Sequence, residues 1–387
     1  MPPSLTSVTS PIVVIGAGPA GLAVAGALRM RGLDALVLER DDTIASSWCH
    51  HYDRLHLHTP RWLSGLPGFA IPRTEGRWVS RDGVVRYLDS YAEFHRLRVR
   101  TGVKVTRIDR EDGGWTVRTP GEDLRSRTVI VATGYNHAPA VPAWRGKEEF
   151  TGELIHAGTY CNGGPFKGRD VLVVGSGNSG AEIAVDLTEH GARRVRISVR
   201  TTPYILPRQT LGLPTQVISV LMRYVPVKLA DALVEPLRQL TVPNLAAYGF
   251  PDPGKGVHTR ARRGEIPILD VGFIDAVRAG KITPVPAVTG FDGPWVTLAD
   301  GSRIDPEVVI AATGYLRGLK ELVGHLGVLD TDGMPKVHGK RTAPEAPGLH
   351  FLGFTNPISG MFREVGIDAR RIARALSAQD ASASAHP

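Results

Sequence analysis

Cysteine is nearly missing from this 387-residue chain: only Cys49 and Cys161 occur, too few for a disulfide framework or an all-cysteine metal site, and no CxxC pair is present. A reducing compartment, the cytoplasm, is therefore expected. The two thiols read as small buried hydrophobes. Long uninterrupted apolar runs are lacking too. The best candidate, residues 217–237, is broken by Arg223, Pro226, Lys228, Asp231 and Glu235, which makes it an amphipathic helical pair and not a membrane span. The first ten residues lack the charged and apolar regions of a signal peptide. Like-charge blocks are absent as well. Lys and Arg (46) outnumber Asp and Glu (38) to give +8, yet the excess is scattered, with short patches at Arg193, Arg194, Arg196 and at Arg260, Arg262, Arg263. Such patches suit a solvated surface or a phosphorylated small molecule better than nucleic acid. No Ser-His-Asp set, paired carboxylates or metal-ligand cluster is recognisable. The end, residues 377–387, reads as a small, polar, frayed tail.

Glycine is abundant (44 residues), and much of it is patterned. The apolar run Ile12–Ile15 leads into Gly16-Ala17-Gly18-Pro19-Ala20-Gly21, then a helical pattern to Met30, then a second strand, residues 35–38, ending at Glu39. This is a βαβ dinucleotide cradle. Gly16 permits the tight turn, Gly18 lets backbone amides approach a pyrophosphate, and Gly21 allows close helix–strand packing. Glu39 can accept the ribose hydroxyls and would repel a 2′-phosphate, so the first site reads as one for FAD or NAD.

The pattern recurs 159 residues later. A strand over residues 171–174 precedes Gly175-Ser176-Gly177-Asn178-Ser179-Gly180, a helix to Glu189, and a strand over 195–199 that ends in Arg200 and Thr201. A guanidinium beside a hydroxyl suits the 2′-phosphate of NADPH. Two further strands repeat each other, Thr128 to Tyr135 and Val308 to Tyr315; the first ends in Ala132-Thr133-Gly134 and the second in Ala312-Thr313-Gly314, small turns that let backbone pass close to a ligand. They bracket the second cradle. An α/β protein follows, with two Rossmann-like dinucleotide-binding domains, the NADPH domain inserted into the FAD domain. The expected boundaries are 1–162 and 313–387 for the FAD-binding domain and 163–312 for the NADPH-binding domain. A helical excursion over about 203–266, with two helical pieces, reads as a substrate-access lid.

The segment Phe150-Thr151-Gly152 to His156 and on to Tyr160 matches FxGxxxHxxxY and lies between the first crossing strand and the second cradle. By this fingerprint the chain resembles the class B flavin-containing monooxygenases. Residues 44–48 and 52–58, Ile205-Leu206-Pro207-Arg208, 267–272 and 349–355 are similar to the YUCCA-type branch and its bacterial relatives. The resemblance covers almost the whole chain. It departs from the animal-type enzymes at Ser46-Ser47, where those carry a Gly-Gly pair, and near Thr59, the nearest place to their flavin-side asparagine.

The resemblance implies NADPH reduction of FAD and reaction of the reduced flavin with O2 to a C4a-(hydro)peroxyflavin. One oxygen atom then passes to a small organic substrate by N- or S-oxygenation or by oxidative decarboxylation of a 2-oxo acid. Alternatives are Baeyer-Villiger oxygenation of a ketone, a pyridine-nucleotide-dependent flavin reductase, and a non-catalytic nucleotide sensor. The expected FAD contacts are Gly16, Gly18, Gly21, Glu39, Arg40, Trp48, His56, Val105, Ala132, Thr133, Gly134 and Gly353. Those for NADPH are Gly175 to Gly180, Arg200, Thr201, Ala312, Thr313 and Gly314. His156 is expected to link the domains and position NADP, and His58, sharing a face with His56 on an extended segment, to pack or lie at the surface. Phe354, Ile358, Met361 and Phe362 point to a hydrophobic or aromatic substrate, with O2 as co-substrate, neither nucleic acid nor a membrane as partner, and a homodimer left open.

Overall fold

A computed structural model describes residues 8–384 apart from 112, 211, 223–224, 255, 263–264 and 358. Arg223, Arg263 and Ile358 thus lie outside the described residues. Two five-stranded parallel sheets dominate, and they are built alike. In the first, spatial order runs Leu349–Phe351, Thr128–Val131, Ile12–Ile15, Leu36–Leu38, Arg98–Arg100. In the second it runs Glu153–His156, Val308–Ala311, Asp170–Val174, Arg194–Ser198, Ile282–Val285. Each glycine-rich cradle follows the central strand. The strands Ile12–Ile15 and Asp170–Val174 are buried along their full length, which is why, after the ion-paired Asp170, their sequence is continuously apolar instead of alternating.

Helix Pro19–Arg29 packs one face on the first sheet and another on the long final helix Met361–Ser384. A third neighbour is helix Arg81–Phe94: a side chain at Gly26 would overlap its Tyr91 hydroxyl, which itself donates to the Pro67 carbonyl at 2.8 Å. The final helix runs through Ser384, so the stretch from Ser377 is helical and not frayed; its alanines favour helix, and Leu376 and Ala373 anchor it in the core. Residues 385–387 are outside the described part.

The junction expected at 162/163 comes one strand too late. Glu153–His156 pairs with Val308–Ala311 at the edge of the second sheet, so the chain has already left the first sheet. Passage between the sheets occurs at a two-stranded antiparallel ribbon, Ala138–Pro139 against Tyr315–Leu316. Among its described residues the excursion after Arg200 holds three α-helices, Thr215–Met222, Val227–Thr241 and Val257–Arg262, one more than the sequence pattern indicates. Its base is the parallel pair Ile205–Pro207 and Ile268–Asp270. Among the described residues no helix is long and apolar enough to cross a membrane.

Candidate functional site: two matched dinucleotide cradles

The first cradle turns at Gly16, where φ is +105° and a side chain would press on the Ala132 carbonyl oxygen, 2.5 Å away. Gly175 repeats this with φ +115° against the Ala312 carbonyl. A side chain at Gly21 would overlap the Gly16 carbonyl, and one at Gly180 the Gly175 carbonyl. Only glycine fits these four positions. Gly18 and Gly177 differ: a Cβ there would meet nothing within 4 Å. Both are the N-caps of their helices, and neither helix has a side-chain cap. Open space before uncapped helix amides fits a pyrophosphate in each cradle.

The two cradles end in side chains of opposite charge. Glu39 is 9% exposed; its Oε2 accepts from the Ala17 amide at 2.7 Å and its Oε1 from the Asp41 amide at 3.2 Å, so the carboxylate is held against the first glycine turn. Arg200 is exposed and makes neither a hydrogen bond nor an ion pair among the described residues, while Ser176 Oγ donates to the Thr201 carbonyl at 3.4 Å. A fixed anion closes one cradle and a free cation the other.

Around the first cradle, Ala45 adopts φ +55° and donates its amide to Ala17 at 3.0 Å, seating the short helix Ser46–Cys49. Ser46 turns away to Asp41 at 2.5 Å. Trp48 is half-buried, in edge contact with His51 and Phe362, each 5.6 Å away. Gly353 brings the C-terminal turn over the same helix start, since a Cβ there would stand 2.9 Å from Ala20 Cβ. Ala132 is buried and Thr133 and Gly134 are half-exposed beside it. Arg40 is exposed, 3.4 Å from His137, and Val105 packs half-buried on the sheet's far side. His56 Nδ1 donates to the Arg54 carbonyl at 2.8 Å.

The fingerprint residues prove to be a strap. Phe150 packs edge-on against Phe291, 5.1 Å between centroids, and Gly152 lets the chain pass beneath it. His156, 7% exposed, accepts from the Gly158 amide through Nδ1 and so carries its proton on Nε2, which donates to the Gly314 carbonyl at 3.0 Å. Burial pushes its pKa below the ordinary histidine value. Tyr160 donates to Asp186 at 2.6 Å. Thr313 Oγ1 donates to Ala140 at 2.5 Å, so the second crossing turn is pinned from two sides.

Asn178, whose amide opens the second cradle's helix, spends its side chain on the excursion: Nδ2 donates to Pro267 at 3.0 Å and Oδ1 accepts from the Leu269 amide at 2.9 Å. Ser179 lies beside the buried Tyr52 hydroxyl. Other expectations are corrected. Cys49 and Cys161 are exposed and not buried hydrophobes, Cys49 as the last residue of helix Ser46–Cys49 and Cys161 just after the buried Tyr160. Phe354 and Phe362 are 1% and 3% exposed and fill the core, while Met361 is half-buried. Arg260 is spent on Glu265 and on the Pro253 and Thr202 carbonyls, so it braces a loop instead of meeting phosphate. Arg194 and Arg196 neutralise Asp170, and Arg193 pairs with Glu307.

Three groups escaped the sequence reading. Arg317 lies 3.3 Å over the Tyr135 ring and donates to the Tyr135 and Tyr315 carbonyls, joining the crossing turns. Glu182, 4% exposed on helix Asn178–Glu189, stands 3.0 Å from His58, which is half-buried and so packs on that helix. Trp78 carries Arg208 on its face at 4.1 Å. Only Arg208, inside a segment already singled out, had a signal in the sequence; the others are juxtapositions of distant segments.

The family model described as pyridine nucleotide-disulphide oxidoreductase matches residues 13–209. The indole-3-pyruvate monooxygenase YUCCA1 of Oryza sativa subsp. japonica is 38% identical over 350 residues, 89% of this chain and 86% of its own. A variant of the flavin monooxygenase from Stenotrophomonas maltophilia superposes with a TM-score of 0.74 at 25% identity, covering 96% of this chain and 99% of that one. Cyclohexanone monooxygenase in its open form shares the fold, with TM-score 0.73 at 18% identity over 97% of this chain and 88% of that one.

Proposed function

This chain belongs to the YUCCA-type flavin monooxygenases and is a flavin- and NADPH-dependent enzyme; from that premise we propose that it oxidatively decarboxylates an aryl 2-oxo acid. The observation that carries the cofactor assignment is the pair of matched cradles ending in opposite charges, Glu39 in one and Arg200 in the other. The substrate class follows the relative named for indole-3-pyruvate. The net reaction joins 2-oxo acid, O2, NADPH and a proton to give CO2, the acid one carbon shorter, water and NADP+.

FAD belongs in the first cradle and NADPH in the second, on an FAD domain interrupted by the NADPH domain. The amides beyond Gly18 and Gly177 hold the pyrophosphates. The Glu39 carboxylate accepts the adenosine ribose hydroxyls of FAD, while Arg200, with Thr201, grips the 2′-phosphate of NADPH. FAD supplies the hydride acceptor and the O2-activating centre; the chain positions it and keeps water away. Half-buried Trp48 forms the apolar side of that space, backed by the core residue Phe362. His156 holds the Gly314 turn against the nicotinamide cofactor and moves no proton in this scheme, since both ring nitrogens are engaged.

The test is direct. Purified protein is expected to be yellow, to bleach with NADPH without air, and to convert indole-3-pyruvate with O2 into indole-3-acetate and CO2, one of each per NADPH. Ester formation from ketones instead would establish the Baeyer-Villiger alternative. Steady NADPH oxidation with no oxygenated product from 2-oxo acids, amines, sulfides or ketones would sink the assignment.

A further inference from the structure

We propose that Arg208 holds the carboxylate of the substrate, with the Trp78 indole as the aromatic wall beside it. The inference rests on the 2-oxo acid reading above and adds which residue recognises the acid end. Arg208 stands where three parts of the molecule meet. Its Nη2 donates to the Leu57 carbonyl at 3.0 Å, and Leu57 belongs to the core shared by Ala17, Trp48 and Phe362 around the first cradle. Its own carbonyl accepts from the Thr215 amide at 3.1 Å, the start of the excursion's first helix. It directly follows strand Ile205–Pro207, whose partner strand is held by Asn178 of the second cradle. A substrate that must reach a flavin beside a nicotinamide cofactor has to lie between these parts.

The chemistry of the group fits an acid. Arg208 Nε is enclosed yet donates to nothing, and no carboxylate lies within ion-pair distance among the described residues. Among the other half-buried arginines, Arg196 has Asp170 and Arg238 has Glu235, whereas Arg77 and Arg317 share the unpartnered Nε, Arg77 donating to the Gly212 carbonyl and Arg317 to those of Tyr135 and Tyr315. A shielded guanidinium without a counter-ion is costly, and a planar carboxylate answers it with two parallel hydrogen bonds. Burial lowers the Arg208 pKa to about 10, with Glu182 partly opposing, so the group stays cationic at neutral pH. Beyond Trp78 the alternation continues outward: Arg77 lies 5.3 Å from the Trp78 ring and 5.6 Å from the Trp62 ring. Stacked indoles and guanidinia offer flat faces to an aromatic acid. Arg77 is the outer member, next to an indole that is 55% exposed, and Arg208 the inner one.

The experiment titrates the oxidised holoenzyme with indole-3-acetate and with indole-3-acetamide, read by perturbation of the flavin absorbance. Wild type is expected to bind the acid at least about tenfold more tightly than the amide. Arg208→Gln is expected to weaken the acid about fiftyfold and leave the amide within about twofold; Arg208→Lys, lacking the planar fork, is expected to weaken the acid about tenfold. Arg77→Gln should change the acid less than Arg208→Gln does. Anaerobic bleaching by NADPH at the wild-type rate marks a variant as correctly folded; if Arg208→Gln fails that check, Arg208→Lys and the wild-type acid-to-amide ratio decide. Equal loss of acid and amide, no loss of acid, or a larger effect at Arg77 would overturn the proposal. Turnover of indole-3-pyruvate by an Arg208→Gln enzyme with unchanged KM leaves the reaction assignment standing and removes this one. Arg208-dependent preference for the acid in an enzyme that oxidises no 2-oxo acid does the reverse.

Discussion

Single residues divide here into those that shape a cradle and those that face its ligand, and the two kinds fail differently. Gly21 touches only protein, and a methyl group there would collide with backbone, so Gly21→Ala is expected to abolish soluble folded protein. Gly18 faces open space, and Gly18→Ala should fold with wild-type thermal stability while its FAD content after purification falls severalfold. Equal behaviour of the two variants would refute the division. At the other end, Arg200→Ala should raise KM for NADPH at least about tenfold with little change in kcat, and narrow the preference over NADH; that pattern marks loss of uniform binding. The difference was legible in the sequence because strand, glycine turn and terminal side chain are contiguous. Asn178 was not, because its partners Pro267 and Leu269 lie 89 and 91 positions away.

At the scale of elements, the strap from Phe150 to Tyr160 fastens the crossing turns to the second sheet. Tyr160 is 1% exposed, and its hydroxyl donates to a carboxylate that also accepts from the Gly163 amide. Tyr160→Phe should cost about 1–3 kcal/mol in urea unfolding, because a buried acceptor loses one partner, while leaving the rate of flavin reduction intact. A reduction rate that dropped tenfold with stability unchanged would make the tyrosine part of the reaction instead. The sequence located this strap but could not say that its polar residues serve the backbone, since His156 meets Gly314 only after the ribbon 138–139 and 315–316 brings the crossing turns together.

For the whole molecule, burial dominates the histidines. His51, His95, His137, His156, His338 and His350 all have pKa values lowered by desolvation, His51 to about 4. Below the unfolded value of about 6.5 the unfolded chain takes up protons that the folded chain refuses, so stability falls as pH drops from about 6.5 towards 4. His51 alone accounts for at most about 3 kcal/mol of that loss. Melting temperatures between pH 4 and 7 should show a decline that His51→Asn reduces; a flat profile would contradict the assignment.

By itself the sequence determined both cradles, the charge that ends each one, the crossing turns and the family, because those features depend on residues adjacent in the chain. It also placed the strap. Only the tertiary structure decided that Cys49 and Cys161 are exposed, that Phe354 and Phe362 belong to cores, that Arg260 is a brace, and that Glu153–His156 sits on the second sheet. The contacts of Arg208 with Trp78 and of His58 with Glu182 likewise exist only in the fold. Burial, pairing of charges and sheet membership are set by which segments the fold brings together, often more than a hundred residues apart, as for Trp78 with Arg208, and no local pattern encodes which of them will meet.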